Sequence, residues 1–303
     1  MLRETKGLYV VAQTPFREDG AVDFDSIDSL SDFYYRHGAN GLTVLGVSGE
    51  AAKLTPREAI ETATRFVSAS GGRPIIAGVS NPSLAQLAEV TGAVMDAGCS
   101  GVMIAPASSV RTDEDLLRYF DAIFQRIGDV PTVLQDFPFA SGVKMSVPAI
   151  LKLVATFPQI QVLKEEDLPS CQKITRLKAE MDRPFRILVG NNALYLPHEL
   201  ERGADGPMAG FSFPEVLSGT YKLMANGKRD EAHDLFDRYL PLMRYEALGE
   251  WGIAVRKLIM HKRGAIASPA MRGPSPRLSD TDIEEIQYLL NRIEGQEPIT
   301  LSS

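Results

Sequence analysis

Within QIQVLKEED (159–167), one amine and three carboxyl groups close an apolar run. Ile160, Val162 and Lys164 alternate with Gln161 and Leu163, the pattern of a short buried strand that ends at the lysine. Burial disfavours an ammonium, so a lysine in that place is costly unless it is deprotonated or used covalently. The chemistry open to a desolvated amine is a Schiff base with a carbonyl substrate. The alternative for such a residue is a surface ion pair with a neighbouring carboxylate. On an extended strand, residues two apart face the same way. Glu166 therefore shares the side of Lys164 and is the candidate acid or base, whereas Glu165 turns toward whatever packs behind the strand. A solvated acidic strand end is the other reading of each glutamate. A second motif is GVSGE (46–50), where two glycines flank a hydroxyl residue. Such a turn lets backbone amides approach an anion closely, which suits a carboxylate.

These residues need a frame. Short apolar runs alternate along the chain with segments of helical period. The strand-like runs are 8–13, 41–46, 73–80, 101–106, 131–136, 159–164, 185–190 and 203–210. The helical ones are 24–38, 56–70, 83–97, 113–127, 147–156, 169–181, 193–202 and 214–225. Strict alternation implies parallel strands. Eight units in about 225 residues match a closed (β/α)8 TIM barrel. An open doubly wound sheet would require a GxGxxG after the first strand, and none is present. After Gly227 the strand signal stops, and 229–243, 252–262 and 280–293 read as helices. The expected organisation is a barrel over 1–226 with a C-terminal helical extension over 227–303, packed on the barrel or serving assembly. In barrels of this kind the chemistry lies at the C-terminal ends of the strands. The polar residues there are Thr14, the GVSGE turn, Asn81, Ser108, Ser109, Gln135, Asp136, Lys164 to Glu166, Asn191 and Asn192.

Composition excludes other classes. The chain has 303 residues, 44% hydrophobic and 23% charged, as expected of a soluble globular protein. Cys99 and Cys171 are too few for a disulfide framework, and no Cys/His cluster has the spacing of a zinc site. A cytoplasmic setting is the expectation. There is no signal peptide pattern and no apolar run of membrane-spanning length. A net charge of −7 without a basic block argues against nucleic acid as a partner.

Taken together, TPF (14–16), GVSGE, the Q-D-x-P turn (135–138) followed by Gly142, and Lys164 on the sixth strand resemble the dihydrodipicolinate synthase / N-acetylneuraminate lyase superfamily. The resemblance runs from about Gly7 to the C-terminal helices. It implies a (β/α)8 barrel, usually a homotetramer, that binds a pyruvate-type 2-oxo acid as an imine on the lysine. By that resemblance Lys164 is the Schiff-base lysine, and Val47 and Ser48 fall where the family holds the substrate carboxylate. Val47, Ser48, Gly49, Asp136 and Gly190 are the candidate substrate-binding residues. Lys164, Gln135 and Glu166 are the candidate catalytic ones. No metal or other cofactor is implied.

The departures narrow the reading. The synthases usually carry tyrosine where this chain has Gln135, and threonine where it has Val47. The synthase P-Y-Y reads Pro106-Ala107-Ser108 here, and the arginine that receives the aldehyde substrate aligns with Ala140. A phenol can relay protons, but an amide can only hold a water or a substrate hydroxyl. VLQDFPFASG (133–142), KEED, PMAGFSFPE (207–215) and GIAVRKLIMHKRGAIAS (252–268) are similar instead to the 2-keto-3-deoxy-sugar-acid dehydratases, especially the L-arabonate type. That similarity implies dehydration of a 2-keto-3-deoxy sugar acid, with Glu166 as base and Ser48 as the alternative relay. A pyruvate-dependent aldolase or the synthase reaction is the alternative.

Overall fold

A computed structural model describes residues 2–294, so the 295–303 part of the expected extension lies outside the described residues. The alternation of the sequence becomes strand and helix in turn: β1 (Tyr9–Val11), α1 (Phe24–Arg36), β2 (Gly41–Val44), α2 (Pro56–Ala69), β3 (Ile75–Gly78), α3 (Leu84–Asp96), β4 (Gly101–Ile104) and α4 (Asp113–Ile127). The second half adds β5 (Thr132–Asp136), a short α5 (Pro138–Ser141), α6 (Val147–Thr156), β6 (Ile160–Glu165), α7 (Ser170–Glu180), β7 (Arg186–Val189), α8 (Leu196–Glu201), β8 (Gly206–Ala209) and α9 (Pro214–Ala225). All eight strands are parallel and close in sequence order, β8 pairing with β1 at Met208 and Tyr9. The expected barrel is thus the observed one.

Local signals set the boundaries. Thr55 and Glu58 form a capping box at the start of α2, with Pro56 as its first residue, and Thr112 with Asp115 does the same for α4. Each such cap contributes about 1 kcal/mol. Expected strands one and eight are shorter than their apolar runs. The eighth helix begins at Leu196 rather than 193, because Asn191, Asn192 and Ala193 hold positive φ in a turn.

The pleat decides what faces inward. Tyr9, Val11, Ile76, Met103, Val133, Val162, Leu188 and Met208, together with Leu2, form one buried cluster. Its strand residues fill the barrel interior. Two residues further along four of these strands come Gln135, Lys164, Gly190 and Gly210, so by alternation these line the mouth. The residues between them belong to the outer layer, where a larger apolar cluster packs the helices on the strands. Three more helices follow: α10 (Arg229–Glu246), α11 (Gly249–Lys262) and α12 (Asp280–Glu294). α10 packs on α9, α11 and α12. Leu242, Met243, Val255, Ile259, Ile286 and Leu290 of these helices join the same outer cluster as the barrel.

Candidate active site

Lys164 is 5% exposed at the end of β6, in register with Gln135 on β5 and Leu188 on β7. Its Nζ lies 3.2 Å from Glu166 Oε2. Although β6 ends at Glu165, the Glu166 amide donates to the Asp136 carbonyl at 2.9 Å, so the ladder continues and its side chain stays on the lysine's side. Gln135 Nε2 donates to Glu166 Oε2 at 2.8 Å, and the Asn191 amide donates to Oε1 at 3.2 Å. The three expected catalytic residues thus form one group, joined by an ion pair and a hydrogen bond at Glu166. Gly190 makes room for it: a Cβ there would come within 2.2 Å of Glu166 Oε1. Gly190 therefore shapes the site by vacating the space that Glu166 fills.

The turn after β2 is a 3-10 turn over Val47–Gly49, whose first N–H groups have no partner within it. Val47 is 63% exposed, Ser48 half-buried and Gly49 buried. Thr14 Oγ1 donates to the Gly49 carbonyl at 2.7 Å, tying the turn to the chain after β1. A cavity of about 670 Å³ opens over the ends of β2 to β5, bordered by Val47, Asn81, Ser108, Gln135, Phe137 and Ala140 among others. A wider hollow of about 810 Å³, bordered by Arg17, Asp25 and Ser268, contains none of the strand-end residues.

One expectation is overturned. Asp136 is fully buried on the outer face of β5, ion-paired to Lys173 of α7, and cannot line a substrate pocket. It follows Gln135 directly, so the pleat that turns the amide into the mouth turns the carboxylate away. Glu165 lands in the same place from β6: its Oε1 accepts from the Asp167 amide at 3.0 Å, and its Oε2 lies 4.0 Å from Lys173 Nζ. Lys173 also donates to Asp167 Oδ2 at 3.1 Å. Three acids thus share this buried ammonium. Burial works against the charge on Lys173, but Glu165 and Asp136 overcome it and raise its pKa. Burial, then the Asp136 charge, pushes Glu165 up to about 9. Burial raises Asp136 to about 6 against the pull of Lys173. Of these carboxyl groups Glu165 is the one whose burial most favours the protonated form. Asp136 Oδ1 and Glu165 Oε2, which otherwise lack a hydrogen-bond partner, are the atoms that a shared proton would join.

That proton has a measurable consequence. A carboxyl whose pKa is raised from 4.5 to about 9 on folding favours the folded state fully below 4.5 and progressively less as pH rises toward 9. Glu165→Gln mimics the protonated acid, so its denaturation midpoint should fall less steeply than the wild type's across that window while turnover stays close to wild type. Parallel midpoint-against-pH curves for the two proteins would refute the protonated state.

Sequence reading passed over several charged residues. Lys173 stands in the buried stripe of α7 with Ser170, Ile174 and Leu177. Arg256 and Lys257 stand in the apolar run of α11, both fully buried. The available signal was the same in each case: a cation on an apolar helical face requires a partner. Lys257 Nζ donates to Glu50 Oε1 at 2.6 Å, and burial, opposed by Glu50, lowers its pKa to about 8. Among the described residues, His198, Glu201 and His233 bring metal-ligand atom types within 4.8 Å of one another. They lie on α8 and α10 rather than at the strand ends, and Arg229 Nε already holds Glu201 at 2.5 Å.

Known proteins share this architecture. A model of the dihydrodipicolinate synthetase family matches residues 4–293. 4-Hydroxy-tetrahydrodipicolinate synthase of Persephonella marina is 29% identical over 289 residues, covering 94% of this chain and 97% of the relative. L-2-keto-3-deoxyarabonate dehydratase of Azospirillum brasilense is 27% identical over 300 residues, covering 95% and 94%. The crystal structure of dihydrodipicolinate synthase from Rhodopseudomonas palustris superposes with a TM-score of 0.94 at 46% identity, covering 96% of this chain and 99% of that one.

Proposed function

The chain belongs to the dihydrodipicolinate synthetase family of Schiff-base lyases, and from that premise we propose that it dehydrates a 2-keto-3-deoxy sugar acid through an imine on Lys164. The observation that carries the reading is the Gln135–Glu166–Lys164 group: a carboxylate 3.2 Å from the amine, steadied by an amide where the synthases, on the resemblance above, carry a phenol. The amine of Lys164 adds to the C2 carbonyl, and with the uptake of one proton the adduct loses water to give the protonated imine. The cationic imine draws electrons from C3 and acidifies its proton. Glu166 is the base placed to take that proton, and Ser48 the alternative relay. The C3–H electron pair forms the C3=C4 bond as the C4–O bond breaks, and the departing hydroxide takes the proton from Glu166 to leave as water. In 2-keto-3-deoxyarabonate a proton then moves from C5 to C3, and the C4=C5 enol so formed becomes the terminal aldehyde. Water then hydrolyses the imine and releases Lys164. The substrate carboxylate binds at the Val47–Gly49 turn, and Gln135 holds a substrate hydroxyl. Assembly as a homotetramer and action in the cytoplasm belong to the same proposal.

The 46% identity to a structure described as dihydrodipicolinate synthase favours a second reading, carbon–carbon bond formation or cleavage on the same imine. Products separate the two. Incubation with 2-keto-3-deoxyarabonate should yield a semialdehyde and no pyruvate, whereas retro-aldol cleavage releases pyruvate. Pyruvate with aspartate semialdehyde should condense slowly or not at all, because residue 135 has no phenol and residue 140 no guanidinium. Rapid condensation would establish the synthase reading instead.

A further inference from the structure

The mouth of the barrel receives a guanidinium from the far end of the chain. Arg256 of α11 is 1% exposed, and its Nε donates to Glu246 Oε2 at 2.7 Å. Its Nη2 donates to Asn192 Oδ1 at 2.9 Å, and its Nη1 lies 3.5 Å from Ser48 Oγ. The mouth layer admits it because β8 is followed by Gly210, where a Cβ would come within 2.4 Å of Nη1. Glu246 balances the charge and also accepts from the Ser212 amide at 3.2 Å and from its hydroxyl. The pair thus supplies oriented donors on the mouth side and keeps its carboxylate on the other.

What those donors hold is informative. Asn191, Asn192 and Ala193 have φ of 48°, 51° and 58°, three successive left-handed residues that persist only where their surroundings over-determine them. Arg256 grips this turn through Asn192, while Asn191 grips Glu166 through its amide and donates Nδ2 to the Glu166 carbonyl at 2.8 Å. Contacts therefore run from Ser48 through Arg256 and the 191–193 turn to Glu166 and on to Lys164. The neighbouring Lys257 clamps the other end of the 46–50 turn through Glu50.

Resting on the imine reading above, we infer that Arg256 is a positioning and specificity-determining residue. It holds the carboxylate-receiving turn at Ser48 and the turn that aims Glu166 in one arrangement, so that a ketone is accepted by the carboxylate beside it. Removing it should weaken capture of 2-oxo acids and leave capture of an uncharged ketone nearly unchanged.

The test is saturation of borohydride trapping at Lys164 with pyruvate and, separately, with hydroxyacetone. The variant of choice is Arg256→Met with Glu246→Gln, which leaves no lone buried charge; thermal unfolding confirms that it folds. Its half-saturation for pyruvate should rise roughly tenfold to hundredfold, the scale of a lost hydrogen bond to a charged group, while that for hydroxyacetone stays within about twofold. In Arg256→Lys one ammonium reaches only one of the two turns, so the preference for pyruvate should fall between wild type and the double variant. A wild-type preference in either folded variant, or equal losses for both ketones, overturns the assignment. Wild type that traps neither ketone overturns the imine reading itself, and the assignment with it.

Discussion

Lys164→Ala should abolish turnover and eliminate the adduct that borohydride is expected to fix in the wild type. With pyruvate or a 2-keto-3-deoxy acid, wild-type protein should gain one covalent mass, mapped to Lys164. The alanine variant should gain none and still fold. Survival of the fold follows from the site's construction. Glu166 loses its ion pair when Lys164 is removed but keeps its hydrogen bonds from Gln135 Nε2 and the Asn191 amide, so the carboxylate is not left unsatisfied. Val162, Leu188 and the rest of the interior layer lie below the lysine and keep their packing. An unmodified Lys164, under conditions that trap a known class I aldolase, would end the Schiff-base mechanism.

Glu166→Gln should slow the chemical step by about 10²-fold or more, the usual scale for losing a general acid–base group. The amide cannot take a proton from C3. It also turns a donor toward either Gln135 Nε2 and the Lys164 Nζ or the Asn191 amide, which now hydrogen-bond to or ion-pair with the carboxylate. Glu165→Gln, one residue earlier, changes a group that faces Lys173 and Asp167, and single-turnover rates should barely move. The contrast is the sharp result. Equal kinetic damage from the two substitutions, or damage from Glu165→Gln alone, would remove Glu166 from the role of base.

Most of the fold was legible because both periods were clean. Eight apolar runs separated by helical segments admit few topologies, and alternation along β6 placed Lys164 and Glu166 together and Glu165 apart. The same rule, applied to Gln135 and Asp136, sends the aspartate outward; reading the pair as one motif put it in the pocket. The rest of the site was not local. Arg256 reaches Ser48 across 208 positions of chain, and the left-handed 191–193 turn carries only one glycine, Gly190, at its edge to announce it. Nothing in the apolar run around Arg256 names its partners. Only closure of the barrel does.

That distance has a consequence for synthesis on the ribosome. The 46–50 turn emerges early, but its clamps at Arg256 and Lys257 are translated 208 and 207 residues later. β1 likewise waits for β8, since Tyr9 pairs with Met208. Until then the nascent chain carries unpaired strand edges, the surfaces by which chains aggregate. The catalytic mouth therefore cannot be complete before α11 is translated, and a polypeptide released earlier would have the Schiff-base lysine without the brace behind it.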